Sequence, residues 1–215
     1  MEGSQKILIL GTGRYAPVLA EIISEIPGLE TAGFVENQDR QRCGRPLLGL
    51  PVYWIDEAGA LAGDHQAVCS LATTRRTEFI RQAKEAGFDF ATIIHPSCRI
   101  PASASVGVGC VLEPGVILST HTRIGSHVRI NRGATIGHDT EIEDYVTIQP
   151  GVHIAGLCRI GTCAYIGIGA VVLDQMTIGR GSVVGAGAVV TRPVADRVLV
   201  LGIPAKVVRE NIDAR

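Results

Sequence analysis

At His138-Asp139 an imidazole stands next to a carboxylate, a pairing suited to proton transfer near neutral pH. Imidazole titrates at about 6.5, so its neutral form can take the proton from an amine that is itself largely protonated. The other histidines offer less. His65 lies in a polar stretch, His95 precedes a proline, and His127 and His153 carry no motif, so these four read as structural or exposed. His121 is the exception, for a reason of spacing given below. The six cysteines, Cys43, Cys69, Cys98, Cys110, Cys158 and Cys163, form no C-x-x-C pair, which argues against a zinc knuckle or a thioredoxin-like motif. They read as free thiols, and no metal is expected.

A second kind of chemistry is suggested near the start of the chain. The apolar run Lys6 to Leu10 leads into Gly11-Thr12-Gly13-Arg14-Tyr15-Ala16 and then a helical pattern through about Ile26. Glycines in such a turn let backbone approach a ligand, and free N–H groups at a helix start favour phosphate. The bland alternative is a glycine turn that only packs helix on strand. Ala32 to Glu36 reads as a second strand, Ala67 to Leu71 as a third, Thr77 to Ala86 as a helix, and Ala91 to Ile94 as a further strand. This alternation predicts a small Rossmann-like parallel α/β sheet. A dinucleotide reading would set Glu36 on a ribose hydroxyl, yet roughly ninety residues lack the second half of a full NAD site.

The elements that must position His138 follow a different rule. A branched aliphatic residue recurs at every sixth position from Ile100 to Val190 without a slip, and the count extends back to Ile94. Glycine often follows the anchor, as at Gly107, Gly125, Gly137, Gly161, Gly167, Gly179 and Gly185. Four residues after it comes a small or β-branched residue such as Ala134, Ala164, Ala170 or Ala188. Cys98, Cys110 and Cys158 fall at this register and read as packing residues. An amphipathic helix needs steps of three and four, so a strict six excludes it. Short strands and tight turns that stack coil on coil, a parallel β-helix, fit. Two domains are therefore expected, residues 1–93 and residues 94–215.

The charge balance narrows the partners. Lys plus Arg number 20 against 21 for Asp plus Glu, which leaves no net field to draw the chain to nucleic acid or an anionic membrane. The apolar run near the amino terminus is too short to span a bilayer, and the protein reads as cytoplasmic.

Several segments together resemble one family. They are the turn at Gly11 to Ala16, Gly33-Phe34-Val35-Glu36-Asn37, Ile93-Ile94-His95-Pro96-Ser97 and Asn131-Arg132-Gly133-Ala134-Thr135-Ile136-Gly137-His138-Asp139. Pro150-Gly151, Ala155-Gly156, Gly185-Ala186-Gly187-Ala188 and Gly202-Ile203-Pro204-Ala205-Lys206 complete the set. The whole chain is similar to the hexapeptide-repeat nucleotide-sugar N-acetyltransferase and sialic-acid O-acetyltransferase-like family. The resemblance implies an all-β left-handed parallel β-helix with three hexads per coil, preceded by a nucleotide-sugar-binding α/β domain. It also implies acetyl-CoA as co-substrate, a homotrimer, His138 as general base and Asp139 as its modulator.

By the same resemblance, the Gly156 N–H meets the acetyl carbonyl, backbone at Ile168 and Ala186 holds acetyl-CoA, and Asn131 lies near the sugar. Asn131 reads equally as a turn asparagine in left-handed geometry. Lys206, with Arg209 after it, suits coenzyme phosphates or a solvated basic tail. Gly11, Gly13, Arg14, Tyr15 and Glu36 would face the nucleotide. Positions eighteen apart stack if a coil holds three hexads, which sets His138 under Gly156, Ile168 under Ala186 and His121 under Asp139. The His138 and Ile168 positions then lie on different edges, so the cofactor is expected between subunits.

This chain departs from the family pattern at Tyr15, where His is common, at Glu36, where Asp is common, and at Thr147, where many members have His. The first two leave UDP, GDP and CMP carriers open. The expected activity is N-acetylation of a nucleotide-linked 4-amino-4,6-dideoxy sugar by direct transfer. Sugar or sialic-acid O-acetylation is the alternative; a zinc carbonic anhydrase-like enzyme and a non-catalytic β-helix protein are remoter ones.

Overall fold

Every hexad anchor from Val106 to Val190 closes a two-residue strand, beginning with Ser105–Val106 and ending with Val189–Val190. Arg129–Ile130 pairs in parallel with Val111–Leu112 on one side and Thr147–Ile148 on the other, each eighteen residues away. Three hexads therefore make one coil, and three parallel ladders result. The first face carries the strands ending at Leu112, Ile130, Ile148, Ile166 and Val184, and continues into Leu199–Leu201 and Lys206–Arg209. The second carries those ending at Leu118, Ile136, Ile154, Val172 and Val190, and the third those ending at Val106, Ile124, Ile142, Ile160 and Ile178. The structure is a computed structural model that describes residues 4–73 and 76–212.

The repeat works because identical inward positions stack. Ile130, Ile148, Ile160, Ile166, Val172 and Ile178 are wholly buried along the axis, and the corners hold the small residues Cys110, Ala134, Ala164, Ala170 and Ala188. Cys158 is buried at the same register and Cys98 half-buried; all six cysteines are free thiols. The glycine after an anchor lets neighbouring coils close up: a Cβ on Gly137 would lie 2.4 Å from the Ala155 carbonyl carbon. Since each core side chain touches the coils on both sides, Ile148→Ala leaves a cavity that no single coil can collapse around. It is expected to cost about 2–5 kcal/mol, read from denaturant unfolding.

Contacts divide the chain into two compact units, Met1–His95 and Pro96–Arg215. In the first, β1 (Gln5–Leu10), α1 (Ala16–Ser24), β2 (Leu29–Glu36), β3 (Val52–Trp54), α2 (Ile55–Ala58), β4 (His65–Cys69) and α3 (Arg76–Glu85) follow in order. The sheet is parallel with strand order β3-β2-β1-β4. The expected strands and helices are present with shifted ends. The strand expected at Ala91 to Ile94 shrinks to Ile93–Ile94, with Ala91 N–H donating to Ala67 O at 2.9 Å. Among the elements not anticipated are β3 and α2. Three residues after Pro51 are too few for a period to show, and β3 holds its place at the sheet edge by pairing with the end of β2. The chain departs from β1 towards β2 on one side and β4 on the other, so Gly11, at the carboxyl end of β1, sits where such sheets bind ligands. No described helix is long and apolar enough to cross a membrane.

Candidate active site

His138 and Asp139 occupy the corner that joins the second face, at Thr135–Ile136, to the third, at Glu141–Ile142. Thr140 anchors this corner from inside: its buried hydroxyl donates to Ala155 O and accepts the Cys158 N–H, both at 3.2 Å. Asp139 adopts φ +53°, a left-handed conformation that a short polar side chain tolerates.

The His138 Nδ1–H donates to Asp139 Oδ2 at 2.8 Å. This bond fixes the tautomer and leaves the Nε2 lone pair free to accept a proton. Nε2 points to the next coil, since a Cβ on Gly156 would lie 2.6 Å from it. The base and Gly156 thus stack as the eighteen-residue spacing predicts. Among the described residues the Gly156 N–H donates to no group, while its carbonyl accepts the Gln175 N–H at 3.0 Å. The His138 side chain is 55% exposed, neither buried in the prism nor covered by its own chain.

The Asp139 carboxyl is held below its ordinary value, first by the hydrogen bond from His138 and further by the charge of His121, whose Nδ1 is 3.4 Å from Oδ1. Glu143 is lowered as well, first by the Thr162 hydroxyl and then by Arg159. A carboxylate lowered in the folded state stabilises above its ordinary titration range and loses that contribution as pH falls through the range. The melting temperature is therefore expected to fall as the pH drops through and below the ordinary carboxylate range, and Glu143→Gln to flatten that dependence. A pH series of thermal melts checks both.

A second region lies at the corner between the first and second faces. Its left-handed position is glycine in every coil, Gly115, Gly133, Gly151, Gly169 and Gly187, with φ between +64° and +74°. The equivalent position on the other corners accepts His121, Asp139, Leu157, Gln175, His127, Tyr145, Cys163 and Arg197, all at positive φ. Backbone geometry alone therefore does not demand glycine here. The column leaves the edge bare, and a Cβ on Gly133, Gly151, Gly169 or Gly187 would meet nothing within 4 Å.

Ile168 and Ala186 sit on this bare edge, and among the described residues neither N–H donates to another group. Beside them is a groove of about 710 Å³ walled by Tyr165, Ile168, Ala186, Leu201 and Arg209. Lys206 is exposed on the strand that supplies Arg209. The glycine column and the walls Tyr165 and Leu201 were missed in the sequence. The column was visible there as Gly at an eighteen-residue step.

Asn131 is buried, and its Nδ2 donates to Ile148 O at 2.7 Å. The left-handed position of its turn belongs to Gly133. In the other unit, Gly11 takes φ +103° and packs so closely that a Cβ would lie 2.7 Å from Ser70 Oγ. Gly13 and Arg14 are exposed, and Tyr15 precedes the first residue of α1, which carries proline in its first turn. Glu36 is buried at the end of β2. Its Oε1 accepts the Asn37 and Gln38 N–H groups, each at 2.9 Å, while Oε2 accepts the Thr12 hydroxyl and lies 3.7 Å from Arg42. Glu36 thereby ties the glycine turn to the loop after β2, and its three hydrogen bonds leave Oε2 one acceptor site for a further donor.

Residues 121–156 match the family model described as Bacterial transferase hexapeptide (six repeats). A search of curated proteins finds no match. Among solved structures, the chain is 31% identical, with a TM-score of 0.87, to a histidine-to-asparagine mutant of perosamine N-acetyltransferase from Caulobacter crescentus in complex with CoA and GDP-perosamine, covering 98% of this chain and 99% of that one. It is 29% identical, with a TM-score of 0.86, to the acetyltransferase domain of PglB from Neisseria gonorrhoeae FA1090 in complex with acetyl coenzyme A, covering 96% and 100%. WeeI from Acinetobacter baumannii AYE is 27% identical, with a TM-score of 0.86 and coverage of 95% and 100%.

Proposed function

Because the chain belongs to the hexapeptide-repeat nucleotide-sugar acetyltransferases, left-handed β-helix enzymes that use acetyl-CoA, we propose that it N-acetylates a nucleotide-linked 4-amino-4,6-dideoxy sugar with His138 as general base. The observation that carries this reading is the Nε2 lone pair of His138 lying against Gly156, whose N–H is available to an acyl oxygen.

The chemistry follows from that geometry. His138 Nε2 takes a proton from the sugar ammonium, and the freed lone pair attacks the thioester carbonyl. Negative charge on the carbonyl oxygen is met by the Gly156 N–H. Collapse breaks the C–S bond as the proton on His138 passes to the departing thiolate. The nitrogen gives its second proton to the freed Nε2, and from there to solvent, which leaves the neutral amide. Asp139 keeps Nδ1 protonated throughout, so that Nε2 is always the basic nitrogen.

In this reading the pantetheine arm lies on the bare glycine edge, with the Ile168 and Ala186 N–H groups as donors and Lys206 and Arg209 near the coenzyme phosphates. The nucleotide sits on the glycine turn of the α/β unit, at Gly11, Gly13, Arg14 and Tyr15, near Glu36. Asn131 acts through the wall of the sugar site, because its own amide is bound to Ile148 O. The His138 corner and the glycine edge are different corners of one prism, so a homotrimer supplies the site: one chain gives the imidazole, its neighbour the cofactor edge.

A substitution on the edge separates cofactor binding from folding. Gly169→Asp points a carboxylate into open space from a backbone conformation that Asp tolerates. The KM for acetyl-CoA is expected to rise about tenfold or more, the equivalent of about 1.4 kcal/mol, with the melting temperature little changed. The activity itself is tested by following thiol release from acetyl-CoA with a panel of nucleotide amino sugars, headed by a GDP-linked one because the Caulobacter relative was captured with GDP-perosamine. Turnover with an amino sugar and none with its hydroxyl analogue is expected. Silence across the panel would refute the proposal.

A further inference from the structure

We infer that His121 is a positioning residue of the active site, one coil below the base, holding the Asp139 carboxylate in the plane that His138 needs. The inference rests on His138 being the base and adds a third side chain to the pair.

His121 and Asp139 occupy the same corner position in successive coils, both left-handed, at φ +57° and +53°. Coils are spaced at roughly 4.8 Å, so side chains leaving this position run side by side. His121 is set from below, where its own N–H donates to Ser103 Oγ at 3.3 Å. Its Nδ1 then approaches Asp139 Oδ1 at 3.4 Å, while the other oxygen, Oδ2, receives the His138 Nδ1–H at 2.8 Å. Each carboxylate oxygen faces a different ring.

That division is what gives His121 a role. The terminal torsion of an aspartate is broad, so one hydrogen bond on one oxygen leaves the carboxylate plane free to turn, and the His138 ring turns with it. A second ring beside the opposite oxygen, at 3.4 Å, narrows that freedom. Because Nε2 stands beside Gly156, where a Cβ would lie 2.6 Å from it, a small rotation of the ring moves the basic lone pair off the line to the substrate amine. All three side chains are about half exposed or more, so the contact affects aim far more than stability.

The test uses His121→Ala and His121→Asn in the full-length protein. Alanine removes the donor. Asparagine carries an amide nitrogen close to where Nδ1 stood, and it tolerates the left-handed backbone. His121→Ala is expected to lower kcat roughly tenfold while KM for acetyl-CoA stays within about twofold, and His121→Asn to recover most of the loss. In a His138→Ala background the same His121→Ala change should cost nothing further, since the ring it aims is gone. Equal loss with Ala and Asn, or a full additional loss in the His138→Ala background, would overturn the inference. If His138→Ala alone kept normal turnover, the base assignment would fail first, and a tenfold kcat effect of His121→Ala would then have to act elsewhere, which also overturns it.

Discussion

His138→Ala is expected to lower kcat by roughly a hundredfold to ten-thousandfold, the range usual for loss of a general base. The fold should not suffer, because the ring is more than half exposed and its Asp139 partner remains solvated. KM for the cofactor should hardly move, since the imidazole acts on the sugar amine while the cofactor lies on the glycine edge. Steady-state kinetics with saturating acetyl-CoA and amino sugar measure the effect. Residual activity that rises with pH is expected, as more of the amine is then deprotonated in solution and needs no base. Turnover within a few fold of wild type at neutral pH would remove His138 from the mechanism.

Gly156→Ala is the second large effect, and it comes from a single methyl group. The added carbon would lie 2.6 Å from His138 Nε2 and 2.8 Å from Cε1, well inside contact distance. The backbone of the coil is pinned, with Leu157 N–H on His138 O at 2.8 Å and Ala155 N–H on Val172 O at 2.9 Å. The exposed ring is the part that can yield, so it swings outward and breaks its alignment with Asp139. Misplacement of about 1 Å costs about a hundredfold in rate, and kcat is expected to fall by that order with the melting temperature close to wild type. Gly137→Ala makes a useful contrast, since its methyl would meet backbone 2.4 Å away and has no side chain to push aside. That variant should lose stability as well as activity.

The β-helix could be read from the sequence almost completely because its core is one-dimensional: each anchor meets its own image a coil away. The step of six therefore revealed the strands ending at Val106 through Val190 and the packing role of Cys110 and Cys158, while the stacking of His138 on Gly156 also needed the three hexads per coil that the family likeness implied. The α/β unit was less legible. β1 announces itself through the run Ile7 to Leu10 and β2 through Phe34-Val35, whereas Val52–Trp54 is three residues whose strand character comes from pairing with β2, a tertiary effect. The cofactor edge was half seen. Ile168 and Ala186 came from family likeness, while the column Gly115, Gly133, Gly151, Gly169 and Gly187 went unnoticed, because glycine in a turn looks conformational until the other corners are seen to manage with His, Tyr, Leu and Arg. The state of Glu36 could not be read at all. Its engagement by Thr12, Asn37 and Gln38 depends on how two loops meet at the sheet's end.

The account turns on one transferred acetyl group being shared by two chains, and mixing two variants that are each impaired at sub-saturating acetyl-CoA tests this most directly. His138→Ala has an intact cofactor edge but no base, and Gly169→Asp has the base but a blocked edge. Co-expressed in equal amounts and assembled at random, they should regain about a quarter of wild-type activity at sub-saturating acetyl-CoA, since one seam in four pairs an intact imidazole with an intact edge. Activity that stays at the average of the two separate variants would contradict it, placing base and cofactor on the same chain.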